Sequence, residues 1–343
     1  MGPTTTRFRF TKGTTLANHQ VKALFSFPLL IAAFAHAQSF QTTVSPQPRE
    51  DLAQDCRYQM SLPNGSERVL GLWVIYDRGP QITSFYSDPD VVAFAKRHGM
   101  GLLLAHQCNG KDAPGGPKEM DMDPTRGIGR ALLTAIEQFS RQSAHPELAE
   151  AKLILLGFSG TGALFAHFGE YAPTRLIAAI LIHPAHYAPA ALDRVQLSME
   201  GRKIPELIFA GGVDKVATTQ APYDYFARYR EQGAPWTFLV QNETGHFGVS
   251  ITKGIVLAWL DEVLVRRDPD PDRPLRTIDE TGSWAGYIVR CSSAGSASPI
   301  WNVCRAAVVK RGAQVPKKMM VAGWLPSAHV ANLWLQEEQV VKP

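Results

Sequence analysis

The chain has 343 residues, 45% of them hydrophobic, which provides for a sizeable core and excludes a disordered chain. Its 35 basic and 31 acidic residues give a formal net charge of +4. That excess sits wholly in residues 1–37, where Arg7, Arg9, Lys12 and Lys22 meet no acidic residue. The rest of the chain is balanced, 31 basic against 31 acidic residues, and nothing in it suggests a nucleic-acid partner, which would need a basic face.

The basic stretch leads into an apolar run from Ala23 to Phe34, and then into Ala35-His36-Ala37, an A-x-A site. This order predicts a secretory signal peptide over 1–37, cut after Ala37. The apolar run is shorter than the roughly 20 residues that span a bilayer. No stable membrane insertion is therefore expected after cleavage, and the destination is secreted or periplasmic. Cys56, Cys108, Cys291 and Cys304 all lie beyond the leader. An even number of cysteines in an exported chain points to disulfides. Three pairings exist; Cys56–Cys108 and Cys291–Cys304 are expected, because each pair lies within one region of the chain. None has metal-site spacing such as C-x-x-C.

Residues 38–54, polar and with Pro46 and Pro48, read as a flexible lead-in. Strand-like sequence begins at Cys56. Leu62-Pro63-Asn64-Gly65-Ser66 carries an Asn-Gly turn signal and predicts a hairpin, its second arm running through Val69 to Tyr76 as a central strand. Asp88 to His98 reads as a helix stopped by Gly99, and Gly101 to Ala105 as a short buried strand. Asp123 to Arg141 reads as one long helix, with Asp-Pro as its cap and first residue. Strands follow at Ala151–Leu156, Leu176–Ile182, Glu206–Ala210 and Trp236–Gln241. Helices alternate with them at Gly160–Tyr171, Tyr223–Gln232 and Val249–Val265. This alternation predicts an α/β fold with a mostly parallel sheet and helices on both faces, over residues 55–266. Residues 267–274, rich in Asp and Pro, read as a linker. Residues 275–343, with Trp284, Tyr287, Trp301, Trp324, Trp334 and two cysteines, read as a small disulfide-stapled extension. That extension either packs over the sheet edge or binds carbohydrate or a surface.

The chemistry concentrates where strands end. The strand ending at Leu156 runs into Gly157-Phe158-Ser159-Gly160-Thr161-Gly162, and a helix follows. A nucleophile elbow needs this context: a sharp turn at serine, small neighbours that let strand and helix approach, and a helix N-terminus facing the reacting centre. Asp214 follows the strand Leu207–Ala210 by way of Gly211-Gly212-Val213. His246 follows the strand Thr237–Val240, in Asn242-Glu243-Thr244-Gly245-His246. Each therefore lies just past a strand's carboxyl end, where such folds place ligand and reacting groups. A serine hydroxyl is a poor nucleophile until a histidine accepts its proton, and a carboxylate holds that histidine's tautomer. Glu243 is the nearest rival acid. His183 and His186, also past a strand, are expected to line the pocket or cap a turn, and His106 and His167 to be structural.

In these residues the chain resembles the α/β-hydrolase superfamily, whose motif is G-x-S-x-G and whose site residues come in the order serine, acid, histidine. Thr161 stands where glycine is usual, with Gly162 one place late. The resemblance covers about residues 55–266 and lies near the polyhydroxyalkanoate-depolymerase, feruloyl-esterase and dienelactone-hydrolase branches. It implies a serine hydrolase acting on a small-molecule or polymer-borne carboxylic ester, with no cofactor and no metal. Ser159 is then the nucleophile, His246 the general base and acid, and Asp214 the orienting acid. The oxyanion hole would use the Gly160 N–H and one from the loop Asp77-Arg78-Gly79-Pro80. The resemblance places the latter at Arg78, with Gly79 the rival; Pro80 has no N–H to give. The segment between Ile182 and Ile204, where the superfamily inserts its lid, is short and implies an open cleft. A peptidase, an acyltransferase or a non-catalytic binding protein could be built on the same scaffold.

Overall fold

The computed structural model describes residues 38–63, 65, 68–106, 108, 123–185, 192–248, 251–291, 298–314 and 318–338. Residues 1–37, where the leader is expected, together with His186 and the central Asn64 and Ser66 of the expected turn, lie outside the described residues.

The first strand, β1 (Gln38–Val44), arises in the segment expected to be a flexible lead-in. It pairs antiparallel with β2 (Cys56–Leu62), Gln38 opposite Leu62 and Val44 opposite Cys56. After β3 (Gly71–Tyr76) come α1 (Pro80–Ser87), α2 (Pro89–Arg97) and β4 (Met100–His106). The expected hairpin between β2 and β3 does not form. β2 instead pairs antiparallel with β4, and β4 pairs parallel with β3. The Asn-Gly signal marks a connection only, because the unbroken apolar β3 belongs in the interior of the sheet, flanked on both sides by parallel neighbours.

The expected long helix from Asp123 is two elements. Asp123 caps a 3-10 turn, Pro124–Arg126, its carboxylate accepting from Thr125 N at 2.8 Å. Gly127, at φ 120°, breaks the path, and α3 (Ile128–Gln142) starts beyond it. The alternation then runs β5 (Lys152–Phe158), α4 (Gly160–Tyr171), β6 (Leu176–Ile182), α5 (Met199–Arg202), β7 (Glu206–Gly211), α6 (Gln220–Arg230), β8 (Trp236–Gln241) and α7 (Lys253–Arg267). Every residue of β3, β5, β6 and β7 is buried, so both faces of the sheet are covered.

The remaining elements are β9 (Trp284–Arg290), β10 (Val303–Lys310), β11 (Met320–Leu325) and α8 (Ala328–Glu338). They continue the same sheet, whose order is β1-β2-β4-β3-β5-β6-β7-β8-β11-β9-β10. The parallel block runs from β4 through β8, and the strands outside it are antiparallel. Order reverses between β3 and β5, because β4 was laid down on one side of β3 and β5 on the other. Such a switch point opens a crevice at the carboxyl ends of the strands. Both expected disulfides are present: Cys56–Cys108 ties the start of β2 to the segment after β4, and Cys291–Cys304 ties β9 to β10.

Candidate active site

Ser159 sits between the last residue of β5 and the first of α4, with φ 54° and ψ −122°. A residue with a side chain does not hold that backbone without surrounding constraint. The constraint is visible. Ser159 N donates to Ile182 O at 2.9 Å, and Ser159 O accepts from Ala163 N and Ala185 N, both at 3.1 Å. Gly157 allows the turn to close, since a Cβ there would collide with the main chain of Thr161 and with the Phe165 ring. Thr161, where the usual motif has glycine, is fully buried and does not loosen the elbow. Its hydroxyl donates to Phe158 O at 2.8 Å and accepts from Phe158 N at 2.9 Å, pinning the first turn of the helix to the end of the strand.

Two further loops converge on the Ser159 turn. His246, on the loop after β8, places Nε2 2.8 Å from Ser159 Oγ. Its Nδ1 lies 2.8 Å from Asp214 Oδ2, on the loop after β7. Asp214 Oδ1 accepts from the N–H groups of Val216 and Ala217 at 2.7 and 2.9 Å. Burial pushes the Asp214 carboxyl up, but the hydrogen bond from His246 and those two N–H groups outweigh it and hold it below its ordinary value. An ionised Asp214 requires the proton on His246 Nδ1, which leaves Nε2 bare and able to accept the serine's proton. The Phe158 ring lies 5.0 Å from the His246 ring, and exposed Phe247 meets its other side. The His246 side chain is 3% exposed, so the proton path is largely shielded from water.

The other sequence candidates fall as follows. Glu243 hydrogen-bonds Asn302, and it is Asp214 that takes the His246 Nδ1 contact. His183 is fully buried, at φ 41°, with Nε2 2.8 Å from Gln241 Oε1; its Nδ1 lies 3.5 Å from Asp214 Oδ2 and makes no hydrogen bond. Burial, opposed by the Asp214 charge, drives its pKa down to about 4, so His183 is neutral. His183, Asp214 and His246 each place one possible ligand atom within 4.8 Å of the others. At 2.8 Å on either side of the His246 ring, however, the contacts are those of a proton-bonded chain. His106 Nδ1 lies 3.0 Å from Asp77 Oδ2, and Thr83 Oγ1 donates to the other oxygen of Asp77. Asp77 thereby braces the loop that carries Arg78. Gly160 is the first residue of α4, so its N–H is among the amides without a partner inside the helix. β3 and β5 pair in parallel, Ile75 opposite Leu156, which brings the Arg78 loop and Gly160 to the same end of adjacent strands. The sequence reading did not single out Asn302, Thr219 or the Val216 and Ala217 amides. Asn302 acts through hydrogen bonds to a residue 59 positions away, which no local pattern announces, whereas the Val216 and Ala217 amides bond Asp214 within a local turn, Asp214 being two and three residues before them.

A strand–elbow–helix turn holding serine, with aspartate and histidine following in chain order at the ends of later strands, is the arrangement of the α/β-hydrolase fold. No protein-family model matches the chain, and no curated protein matches it in sequence. Among solved structures it is similar to a ferulic acid esterase, at 12% identity over 62% of this chain and 91% of that one, with a TM-score of 0.44. It is similar also to an S-formylglutathione hydrolase from Staphylococcus aureus, at 11% identity over 66% and 99%, TM-score 0.45. A third is an α/β-hydrolase from a Medee basin deep-sea metagenome library, at 11% over 68% and 100%, TM-score 0.47.

Proposed function

We propose that the protein hydrolyses carboxylic esters through an acyl-serine intermediate. The observation that carries this is the unbroken chain Ser159 Oγ–His246 Nε2 and His246 Nδ1–Asp214 Oδ2, both links 2.8 Å long. Ser159 Oγ attacks the ester carbonyl carbon while its proton passes to His246 Nε2. The carbonyl oxygen becomes an anion, held by the Gly160 and Arg78 N–H groups and by the positive end of α4. Collapse breaks the bond to the alcohol oxygen, which leaves with the proton from His246. A water then repeats the sequence on the acyl-serine and releases the acid. Asp214, anchored by two backbone amides, keeps the imidazole in the tautomer both halves require and stabilises its cation.

Export through the leader is part of the same proposal. Two disulfides support an oxidising compartment, and among the described residues no helix is long and apolar enough to cross a membrane.

A fluorophosphonate probe tests the reading. Wild type should be labelled and lose ester turnover in step with labelling, whereas folded Ser159→Ala should neither be labelled nor turn over p-nitrophenyl acetate. Folded wild type that resists the probe would overturn it.

A further inference from the structure

The loops that carry Asp214 and His246 are joined to each other by a segment from the far end of the chain. On the Asp214 side, Pro299 O accepts from Thr219 N at 3.0 Å and Gln220 N at 2.9 Å. Trp301 N donates to Thr219 Oγ1 at 3.1 Å, and Thr219 Oγ1 donates to Gly211 O at 2.8 Å. On the His246 side, Asn302 Oδ1 accepts from Glu243 N at 2.9 Å, while Asn302 Nδ2 donates to Glu243 Oε1. Asn242 and Val303 exchange two further bonds, at 2.7 and 3.1 Å. The Asn302 carboxamide also presses on Gly212, two residues before Asp214, where a Cβ would collide with its Oδ1. The segment has its own anchor: Cys291 N donates to Asn302 O at 2.8 Å, and the Cys291–Cys304 disulfide closes around it.

We propose that Asn302, seated by the Cys291–Cys304 staple, is a positioning residue that fixes the separation of the Asp214 and His246 loops. This rests on the serine-hydrolase reading above. The side chain touches Gly212 on one loop and Glu243 on the other, so it is the short spacer between them. Glu243 is held at φ 53°, a conformation costly for a residue with a side chain, and the two bonds to Asn302 offset that cost. Asn302 is itself only partly buried and lies outside the hydrophobic core. Its removal should therefore disturb reaction geometry more than stability. Misplacing a reacting group by an ångström can cost about a hundredfold in rate.

The test uses the full chain with Asn302→Ala, Asn302→Asp, Glu243→Gln and the double variant Asn302→Asp with Glu243→Gln. Asn302→Ala should lower kcat on a short p-nitrophenyl ester by about tenfold or more, with KM changed by less than about threefold. Asn302→Asp alone sets two carboxylates against each other and should be at least as impaired. The double variant exchanges donor and acceptor across the same contact and should recover most of the loss, which a purely structural role would not produce. A turnover of Asn302→Ala equal to wild type, or no recovery in the double variant, overturns the proposal while leaving the serine-hydrolase reading intact. Amide hydrogen exchange gives an arm independent of activity. Residues 211–219 and 241–248 should exchange faster in Asn302→Ala, and unchanged exchange there counts against the proposal even if wild type resists the fluorophosphonate.

Discussion

Ser159, His183, Thr218 and Glu243 all have positive φ, and all lie on the loops at the carboxyl ends of β5 to β8. Backbone strain of this kind persists only where neighbours over-determine it. His183 adds a second tension, since a fully buried imidazole is held neutral beside an ionised carboxylate. Its pKa falls from 6.5 to about 4 on folding. As pH drops below 6.5 the unfolded chain takes up this proton before the folded one does, so stability is lost progressively. The contribution is complete above 6.5 and the loss levels off near 4. Denaturant unfolding at pH 7 and pH 4.5 should therefore show a smaller loss for His183→Leu than for wild type, by up to about 3 kcal/mol. Equal losses would mean that His183 already titrates normally in the folded protein.

Thr161 belongs to the scale of the element, because its hydroxyl joins β5 to α4. Its two bonds to the Phe158 main chain are buried. Thr161→Val keeps the shape and removes both, and should destabilise by about 1–3 kcal/mol in urea unfolding. Elements were legible where their burial was uniform. β5, β6, β7 and β8 are short apolar runs, and Ser159, Asp214 and His246 each follow one of them by no more than a few residues. That regularity is why the three residues that meet in space could be picked from sequence. Partnership was not legible. Nothing in Cys56–Leu62 tells that it pairs with β1 and β4 and not with β3, since register and neighbour are decided by tertiary burial. α1 went unseen behind Gly79-Pro80, and β10 was hidden because its exposure is mixed, with polar and apolar residues sharing a face. Asn302 left no local trace at all; its side-chain hydrogen bonds go to Glu243, 59 residues away in the chain.

At the scale of the molecule, the decisive question is what residues 268–343 do for β8. Among the described residues β11 pairs with β8 only at Gly323 opposite Thr237, which leaves most of that edge without a described strand partner. α8 supplies partners by side chain. Trp334 Nε1 donates to Phe238 O at 2.8 Å, and Glu338 Oε1 accepts from Val240 N at 2.8 Å. Burial raises the Glu338 carboxyl well above its ordinary value, a cost that the bond from Val240 N partly offsets. Trp324 and Trp334 are fully buried, and Trp324 packs edge-on against Trp259 of α7 at 6.4 Å. Deleting residues after Asp268 would strip the buried indoles of Trp301, Trp324 and Trp334 from the core and expose the backbone groups of Phe238 and Val240 along an apolar strand. Losing any one of these large aromatics alone typically costs about 3–5 kcal/mol, comparable to a whole domain's margin of stability. An open edge next to fully buried Phe238 and Val240 is also a template for aggregation. The truncated chain should therefore accumulate as insoluble material or lose its cooperative thermal transition, with turnover of soluble esters lost at the same time. A soluble truncated enzyme with ordinary turnover but no retention on a polymeric ester would instead assign the extension to surface binding. The contacts of Trp334 and Glu338 argue for the first outcome, because both residues are committed to β8 and neither presents its polar atoms to solvent.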